Sequence, residues 1–450
     1  MVDRRPTGLL RAACALGLAT LATTATTIPS HAGGFGLRDQ SSYGQGSSYA
    51  GVAAGGSLSS MFWNPATMTQ QRGIQSEVDL MGIFPYASNT PKSGTLTGIP
   101  GFGGTNDTGD DAFVPSGYLS WQINPRLWLG VSLNSPFGLS VSFPSTWAGR
   151  DYGQQSNLKT YNATPSLAYQ FNDWLSIGVG VQIEYANASV SQGVTPLFLG
   201  AIPLADTANI SGKGWGYGFT VGATLTPTPT TTIGIGYRSA INQKLDGTLS
   251  VTGPAPLGPT AGSVNTTLNL PDIVSLGLRQ RIDSQWTLLG TVEWTNWSRI
   301  GTSTVLQGSG AAATIGGKAV TLPFDYKDGW FFSLGAEYQW TERLAVRAGV
   351  GYEISPISDD VRIPLLPDND RTWLSIGSSY HISKDLVVDL AYSHLFVRGT
   401  SVDISATSGN PWYNGVTSYS GDVSAHVDII SMGLKYRWDS DAPAPKLITK

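Results

Sequence analysis

The hydrophobicity of this chain alternates residue by residue in about fourteen stretches. In the clearest one, residues 330–340, Trp330, Phe332 and Leu334 share one side while Glu337 falls on the other. Because successive side chains of a β-strand point to opposite faces, this stretch has one apolar and one polar face. A chain built almost entirely of such strands is typical of a transmembrane β-barrel.

The alternation predicts strands at residues 73–87, 112–123, 126–137, 156–171, 174–190, 213–227, 231–247, 266–282, 285–299, 327–340, 343–357, 371–382, 385–400 and 425–438. Short links rich in turn-forming residues alternate with long links, which cover 88–111, 138–155, 191–212, 248–265, 300–326, 358–370 and 401–424. Bacterial outer-membrane barrels have short periplasmic turns and long outer loops, so the pattern also predicts the orientation of the barrel.

Charged residues repeatedly fall on the polar face of these strands. In the strand at 174–190, Val179 and Val181 alternate with Gln182 and Glu184. A charge facing lipid at mid-bilayer would cost about 2–4 kcal/mol, so the apolar face is the one that meets lipid. Four tryptophans near strand ends fit an aromatic girdle, namely Trp174, Trp286, Trp340 and Trp438. The predicted fold class is all-β, a transmembrane antiparallel barrel of fourteen strands over residues 73–438.

The two ends of the chain differ from the barrel. Basic residues, a short apolar stretch and Ser30-His31-Ala32 predict a signal peptide over residues 1–32, cleaved after Ala32. Cys14 is the one cysteine and lies in this signal, so the mature chain would have no disulfide. Residues 439–450 form a polar tail with two prolines, which we expect to be disordered in the periplasm.

Residues 33–72 break the alternation and are rich in Gly, Ser and Ala. They also contain Phe35, Leu37, Phe62 and Trp63, which is too much apolar surface for a disordered leader. A barrel of about fourteen strands leaves a lumen wide enough to hold an ordered segment. We therefore predict that residues 33–72 form a plug, or hatch, inside the barrel.

Composition narrows the classes of function. The chain has a formal net charge of -4 and gives no electrostatic footprint for nucleic acid. No metal-ligand cluster, phosphate loop or nucleotide motif is present, so we predict no metal and no cofactor. Outside the signal the histidines are His381, His394 and His426, without the spacing of a catalytic triad. We predict that the protein is not an enzyme; an outer-membrane lipase or protease is the alternative in that class.

The segment Phe62-Trp63-Asn64-Pro65-Ala66, preceded by Gly33-Gly34-Phe35-Gly36-Leu37, resembles the N-terminal hatch of the FadL family. These proteins are outer-membrane transporters of long-chain fatty acids, and relatives take up aromatic hydrocarbons. Similar segments follow in order through the mature chain, at 134–139, 146–150, 165–178, 270–272, 294–298, 355–356 and 367–375.

The resemblance implies a fourteen-stranded monomer in the outer membrane of a Gram-negative bacterium, surrounded by lipid and lipopolysaccharide. A hydrophobic ligand (fatty acid, hydrocarbon or detergent) would be captured between outer loops, pass the hatch and leave sideways through an opening in the wall. The implied gate residues are Phe62, Trp63, Asn64, Pro65 and Ala66, and the implied kink in the third strand involves Asn134, Pro136 and Gly138. The gate segment is expected to pack against that opening.

A proline cannot donate to a strand ladder, which gives Pro136 a local reason to kink the third strand. The alternative is that Pro136 simply ends that strand.

Two basic residues are candidates for substrate binding. Lys327 matches a basic position of the family at the start of the tenth strand, whereas Asn187 stands where the family has another basic residue. The absence of this second basic residue favours a neutral hydrophobic substrate. Lys327 could instead be an interfacial lysine. Arg371 follows two aspartates and could instead form a structural ion pair.

The alternative function is a general diffusion porin for small polar solutes, which would favour an open lumen.

Overall fold

A computed structural model describes residues 33–194, 207–252, 260–315 and 318–439. Fourteen antiparallel strands form one sheet, as the alternation predicted. Their bounds are β1 Ile74–Gly94, β2 Ala112–Asn124, β3 Leu127–Asn134 and Gly138–Ser142, β4 Gln155–Gln170, β5 Leu175–Gly193, β6 Thr207–Thr228, β7 Thr231–Arg238 and Ile241–Thr252, β8 Thr260–Leu270 and Ile273–Arg281, β9 Trp286–Thr295, β10 Gly329–Gln339, β11 Leu344–Ile354, β12 Arg371–His381, β13 Leu386–Val397 and Thr400–Ile404, and β14 Tyr419–Arg437.

The sheet closes into a barrel because β1 also pairs with β14. Their register runs from Gln75 opposite Arg437 to Gly94 opposite Tyr419. Closure leaves no exposed edge along this seam, which a membrane-spanning sheet requires. The predicted signal peptide over residues 1–32 and residues 440–450 of the predicted tail lie outside the described residues.

The strands differ from the predicted ones in length and continuity. The first parts of the predicted loops 88–111 and 191–212 are strand, because polar segments continue the backbone ladder beyond the apolar band. Three strands predicted to be continuous are interrupted, at residues 239–240, 271–272 and 398–399. The strand predicted at 126–137 ends at Asn134 and resumes at Gly138, inside the predicted loop 138–155. The strand predicted at 285–299 ends at Thr295 and is followed by the 3-10 helix Trp297–Ile300.

The predicted faces are confirmed. Leu334 and Val179 expose 69% and 45% of their surface on the outside of the barrel, whereas Glu184 and Asp389 are buried inside. Trp174, one of the predicted girdle residues, is also exposed on the outside, at the short-turn end. Apolar side chains thus face outward, where lipid would cover them, and ionisable ones face inward.

The N-terminal segment 33–72 fills the lumen, as predicted. It contains helix α1, Ser42–Gln45, and three 3-10 turns, Val52–Ala54, Leu58–Phe62 and Pro65–Gln70. Inward-facing glycines let it lie close to the wall: a Cβ on Gly178, Gly234 or Gly349 would lie 2.4, 1.8 or 2.1 Å from a hatch backbone atom. Such distances are shorter than any normal contact, so only glycine fits at these positions.

The long loops carry small elements above the barrel. They are the 3-10 helix Arg150–Tyr152, the strand pairs Thr302–Thr304 with Thr321–Pro323 and Thr314–Ile315 with Lys318–Ala319, and the strand Leu306–Gln307, which pairs with β8. Among the residues described, no helix has the length and apolar character needed to cross a membrane.

Candidate functional site

A cavity of about 620 Å³ lies beneath the long loops. Apolar side chains from the loops and from the upper ends of β3 to β8 line it, among them Leu139, Leu158, Val190, Ile210, Leu245, Leu268, Val320, Phe324 and Leu366. None of its lining residues in the described parts of the chain is Asp, Glu, Lys, Arg or His. Its volume is in the range of small-molecule pockets, and its chemistry suits an apolar ligand.

An aromatic cluster lies at the floor of this cavity. Phe35 of the hatch contacts Trp297 edge-on at 4.8 Å between ring centroids and Phe137 at 6.2 Å. Phe35 lines the large cavity, while Phe137 and Trp297 line a smaller cavity of about 50 Å³ below. The three rings, called the aromatic partition from here on, therefore lie where the two cavities adjoin.

The wall of the barrel is incompletely paired between β2 and β3. The two strands pair only from Gly117 opposite Leu133 to Asn124 opposite Leu127. Residues 112–116 of β2 pair with β1 but have no partner in β3. The second part of β3 pairs with β4 and bridges, at Val141, to Gly109 ahead of β2. Pro115 lies in this unpaired section, where the missing N–H of proline costs no ladder bond.

The interruption of β3 turns its backbone towards the hatch. The predicted kink residues Asn134 and Gly138 end the first part of β3 and begin the second. Between them, the carbonyl of Pro136 accepts a hydrogen bond from the N–H of Leu37 at 2.8 Å, and Gly138 N–H donates to the Phe35 carbonyl at 2.9 Å. Hatch backbone thus replaces the neighbouring strand over this section.

Gln40 of the hatch bridges the two sides of the unpaired section. Its side-chain Nε2 donates to the Ser135 carbonyl at 2.8 Å, and its Oε1 accepts from Asn134 Nδ2 at 3.1 Å. Its backbone carbonyl accepts from Ser116 Oγ at 3.1 Å and from the hydroxyl of Tyr118 at 2.5 Å. One fully buried residue therefore joins β2 and β3 where they do not pair with each other.

The predicted gate segment lies elsewhere in the lumen. Asn64 Nδ2 donates to the carbonyls of Ala53 and Ala223, and Asn64 caps the 3-10 turn that begins at Pro65. Ala66 packs over Gly178 of β5. Phe62 and Trp63 contact each other edge-on and line the small cavity. Within this segment, Asn64 to Ala66 pack against β5 and β6 rather than against the unpaired section, which residues 35–40 contact instead.

A chain of buried ion pairs holds the start of the hatch to the wall. Arg38 contacts Glu293 of β9 at 2.5 Å and Glu353 of β11 at 3.4 Å. Glu353 in turn lies 3.6 Å from Arg371 and accepts the N–H of Gly33. Replacing Glu293 or Glu353 would leave a buried charge on Arg38 without one of its partners, so the two pairs of Arg38 restrain the hatch.

Asp39 is a buried carboxyl of the hatch with a neutral partner. Its Oδ1 accepts a hydrogen bond from the hydroxyl of Tyr49 at 3.1 Å. Burial away from water raises the pKa of Asp39 to about 6. We therefore expect Asp39 to change its protonation state at mildly acidic pH.

The two predicted substrate-binding residues are in different surroundings. Lys327 is exposed and lines neither of the two cavities. Arg371 is buried at the start of β12, where it pairs with Asp368 and Glu353. This placement matches the structural ion pair given above as the alternative for Arg371.

Two of the three histidines outside the predicted signal lie side by side on the outer face of the barrel. His394 Nδ1 lies 2.8 Å from Asp428 and is stacked near His426 on the outward side of β13 and β14. In the part of the chain that is described, no cluster of three or more His, Cys, Asp or Glu side chains could hold a metal ion.

Sequence reasoning missed Gln40 and the ion pairs of Arg38. Both residues lie within three positions after Leu37, inside a segment predicted as a plug. The sequence does contain a signal for these ion pairs. Ionisable residues such as Glu293 and Glu353 fall on polar strand faces, and charges inside a barrel need partners of opposite charge.

Comparison with known proteins agrees with this architecture. Residues 22–438 match the family model described as outer membrane protein transport protein (OMPP1/FadL/TodX). The chain is 26% identical to the long-chain fatty acid transport protein of Escherichia coli K12, over 90% of this chain and 97% of that protein. It is also 26% identical to outer membrane protein P1 of Haemophilus influenzae Rd, over 90% and 95%.

Solved structures share the fold. A Pseudomonas aeruginosa FadL homologue has a TM-score of 0.78 at 24% identity and covers 90% of this chain and 99% of its own. The Ralstonia pickettii toluene transporter TbuX has a TM-score of 0.64 at 19% identity, covering 90% and 99%. With the family model matching nearly the whole barrel and hatch, this chain belongs to the OMPP1/FadL/TodX family of outer-membrane transport proteins.

Proposed function

We propose that this protein is a passive channel through which hydrophobic molecules, long-chain fatty acids or hydrocarbons, enter across the outer membrane. The observation that carries the proposal is the cavity of about 620 Å³ beneath the outer loops, whose described lining has no charged side chain. An apolar chain gains about 0.8 kcal/mol for each CH₂ that leaves water, so such a cavity can extract it from the medium.

The aromatic partition and the hatch would control passage from the large cavity to the small one. Phe35 belongs to the hatch, so a shift of residues 33–40 would move one of the three rings and join the cavities. We infer that this short segment, rather than Asn64-Pro65-Ala66, is the moving part. The latter segment is anchored by the two hydrogen bonds of Asn64.

The ligand would leave sideways through the unpaired section between β2 and β3. Two features support this route: residues 112–116 of β2 have no β3 partner, and Gln40 covers the section from inside. Exit into membrane hydrocarbon keeps an apolar chain out of water, whereas an exit into the periplasm would return it there.

Transport into liposomes tests the function. The reconstituted protein should speed uptake of a labelled fatty acid or hydrocarbon and should leave the sugar permeability, read by liposome swelling, unchanged. Leu268→Asp places an unpaired charge in the large cavity and should slow uptake, while Gln307→Asp on the exposed loop should not. Free permeation of sugars with no hydrocarbon uptake would instead support a porin.

A further inference from the structure

Three aromatic side chains form a row across the outer face of β4, β5 and β6. Tyr161 lies opposite Tyr185 in the ladder, and Tyr185 lies opposite Trp215, with 5.1 Å between the centroids of the last two rings. Trp215 exposes 56% of its surface on this face. Tyrosine and tryptophan favour the boundary between lipid and water, so this row has the composition of an interfacial girdle.

The length of the apolar face of β6 shows where this boundary lies. Its outward side chains are apolar from Leu225, near the short turn, up to Trp215, and the next outward residue is Lys213. A strand segment of about ten residues spans about 33 Å at about 3.3 Å each, and a tilt of about 40° reduces this to about 25 Å, the height of the apolar band of an outer-membrane barrel. The aromatic row therefore marks the outer edge of the hydrocarbon, and Lys213 lies just above it.

A row with two lysines lies on the same face at this edge. Lys159 of β4 lies opposite Asn187 of β5, which lies opposite Lys213 of β6, two residues nearer the loops than the aromatic row. Lys244 is exposed on the neighbouring β7, two residues from Asp246, which lies opposite Lys213. Three lysines and one aspartate give this face, called the lysine patch from here on, a net charge of +2.

The chain does not neutralise the lysine patch with its own described residues. Asp246 lies opposite Lys213 in the ladder, but their charged atoms are not in salt-bridge contact, and Lys159 and Lys244 form no ion pair with a described carboxylate. On β1, in contrast, the exposed Lys92 contacts Asp422 of β14 at 2.7 Å. Positive charge at the edge of a membrane attracts anionic lipid head groups. The lysine patch therefore suits an anionic partner in the outer leaflet.

We propose that the lysine patch binds the phosphate groups of lipopolysaccharide, the glycolipid of the outer leaflet. This glycolipid carries its phosphates where its sugars join its acyl chains, which is the depth of the lysine patch. Its acyl chains pack on the apolar side chains below, and the rings of Tyr185 and Trp215 lie at the junction. A lysine ammonium suits a phosphate because it brings three donors on a flexible stem. The assignment concerns the lipid around the barrel and is independent of what the channel transports.

Binding of a matched pair of lipids tests the assignment. The pair is lipid A, the phosphorylated anchor of lipopolysaccharide, and the same lipid A after phosphatase treatment, so that the acyl chains are identical. Each is titrated into the intact protein in a neutral detergent, and bound lipid is measured by native mass spectrometry. Wild type should bind the phosphorylated form about tenfold more tightly at low ionic strength, because its phosphates accept charge-assisted hydrogen bonds. The preference should shrink as salt is added, since Lys213 and Lys244 are exposed and salt screens their charges.

A variant that combines Lys159→Gln, Lys213→Gln and Lys244→Gln should abolish the preference and leave binding of the dephosphorylated lipid unchanged. If this triple variant folds poorly, the three single variants decide, each expected to lower the ratio of the two affinities about twofold.

The matched control combines Arg126→Gln, Arg281→Gln and Arg343→Gln, which removes the same charge from exposed positions at the short-turn end of the barrel. The control should keep the preference of wild type. A preference that survives the lysine substitutions, an equal loss in the control, or no preference in wild type would overturn the assignment.

Discussion

Gln40 connects β2 and β3 in the section where these two strands are not paired with each other. Its side chain holds Asn134 and Ser135 of the β3 side, and its backbone carbonyl holds Ser116 and Tyr118 of β2. Hydrogen bonds of this kind are broken and remade without moving a strand, so they suit a closure that opens for a ligand.

Gln40→Ala should loosen the hatch at the unpaired section by about 1–3 kcal/mol, because Asn134 and the Ser135 carbonyl lose their buried partner. Amide hydrogen exchange at Leu37, whose N–H donates to Pro136, should accelerate while exchange in the barrel strands stays unchanged. Gln45→Ala is the control, since Gln45 bonds β14 instead. Equal acceleration at Leu37 in both variants would argue against a local closure.

Asp39 should make the hatch sensitive to pH. Its pKa is raised by burial to about 6 from an ordinary 3.8, so between these values the folded hatch keeps a proton that the unfolded segment releases. Stability of the hatch should therefore fall as pH rises through this window and stay low above about pH 6. The groups whose charges act on it are Arg38, Glu353 and Arg371.

Asp39→Asn cannot ionise and should remove this dependence. Its hatch should resist protease better than the wild-type hatch at pH 7.5 and about equally below pH 4. Asp283→Asn, in an exposed turn, provides the control for a general loss of negative charge. A wild-type pH profile that persists in Asp39→Asn would assign the sensitivity to another group.

At the scale of elements, inward glycines fix how the hatch fits the barrel. The backbone oxygen of Ala53 would lie 1.8 Å from a Cβ at position 234. Gly234→Ala should therefore displace the hatch at a cost of about 1–3 kcal/mol, and the ion conductance of single channels in planar bilayers should rise as the lumen opens. Gly290→Ala is the matched control, because a Cβ there meets Leu334 Cδ2 at an ordinary 3.6 Å. Unaltered conductance in Gly234→Ala would mean that the hatch can shift within the lumen without opening it.

The kink of β3 arises from a change in its register with β4. Asn134 lies opposite Asn162 of β4 and Gly138 opposite Lys159, so β3 advances four residues while β4 advances three. One extra residue is the signature of a bulge, which bends a strand and disrupts its pairing.

Deleting Pro136 should restore the register, allow β2 and β3 to pair further and slow ligand uptake in liposomes severalfold with the barrel still folded. Pro136→Ala keeps the extra residue and the hydrogen bonds to the hatch, so it should retain the kink and most of the uptake. If the variant that lacks Pro136 takes up ligand as fast as Pro136→Ala, the ligand does not leave between β2 and β3.

The sequence predicted the elements better than their contacts. Alternation is a local property, so it located the strands and gave the faces of residues such as Leu334 and Glu184. It could not give the upper ends of β1 and β5, because polar strand above the membrane has no apolar face to reveal it. The cavity and the bridge made by Gln40 depend on contacts between residues distant in sequence, such as Gln40 and Ser135. The periodicity of the sequence contains no information about such contacts.

On the scale of the whole molecule, charge is sorted by face. Lipid meets an apolar exterior, the described lining of the large cavity under the outer loops has no charged side chain, and buried ion pairs such as Arg38 with Glu293 hold the hatch. An entering chain would therefore meet apolar and neutral polar side chains along this described lining before it reaches the aromatic partition. This order favours capture first and release second, without an energy source.

Crosslinking during transport tests the proposed route most directly. A hydrocarbon carrying a diazirine is added to the reconstituted protein, and the sample is irradiated at short times after the addition. The residues that carry adducts are then identified by mass spectrometry. The account predicts adducts on Leu268 in the large cavity, then on Phe35 and Phe137, and then on Val114, whose side chain is buried on the inner side of the unpaired section of β2. In the Pro136 deletion, adducts at Val114 should be lost and those at Leu268 retained. Adducts at the periplasmic end of the hatch, such as Arg72, with none at Val114, would contradict a sideways exit.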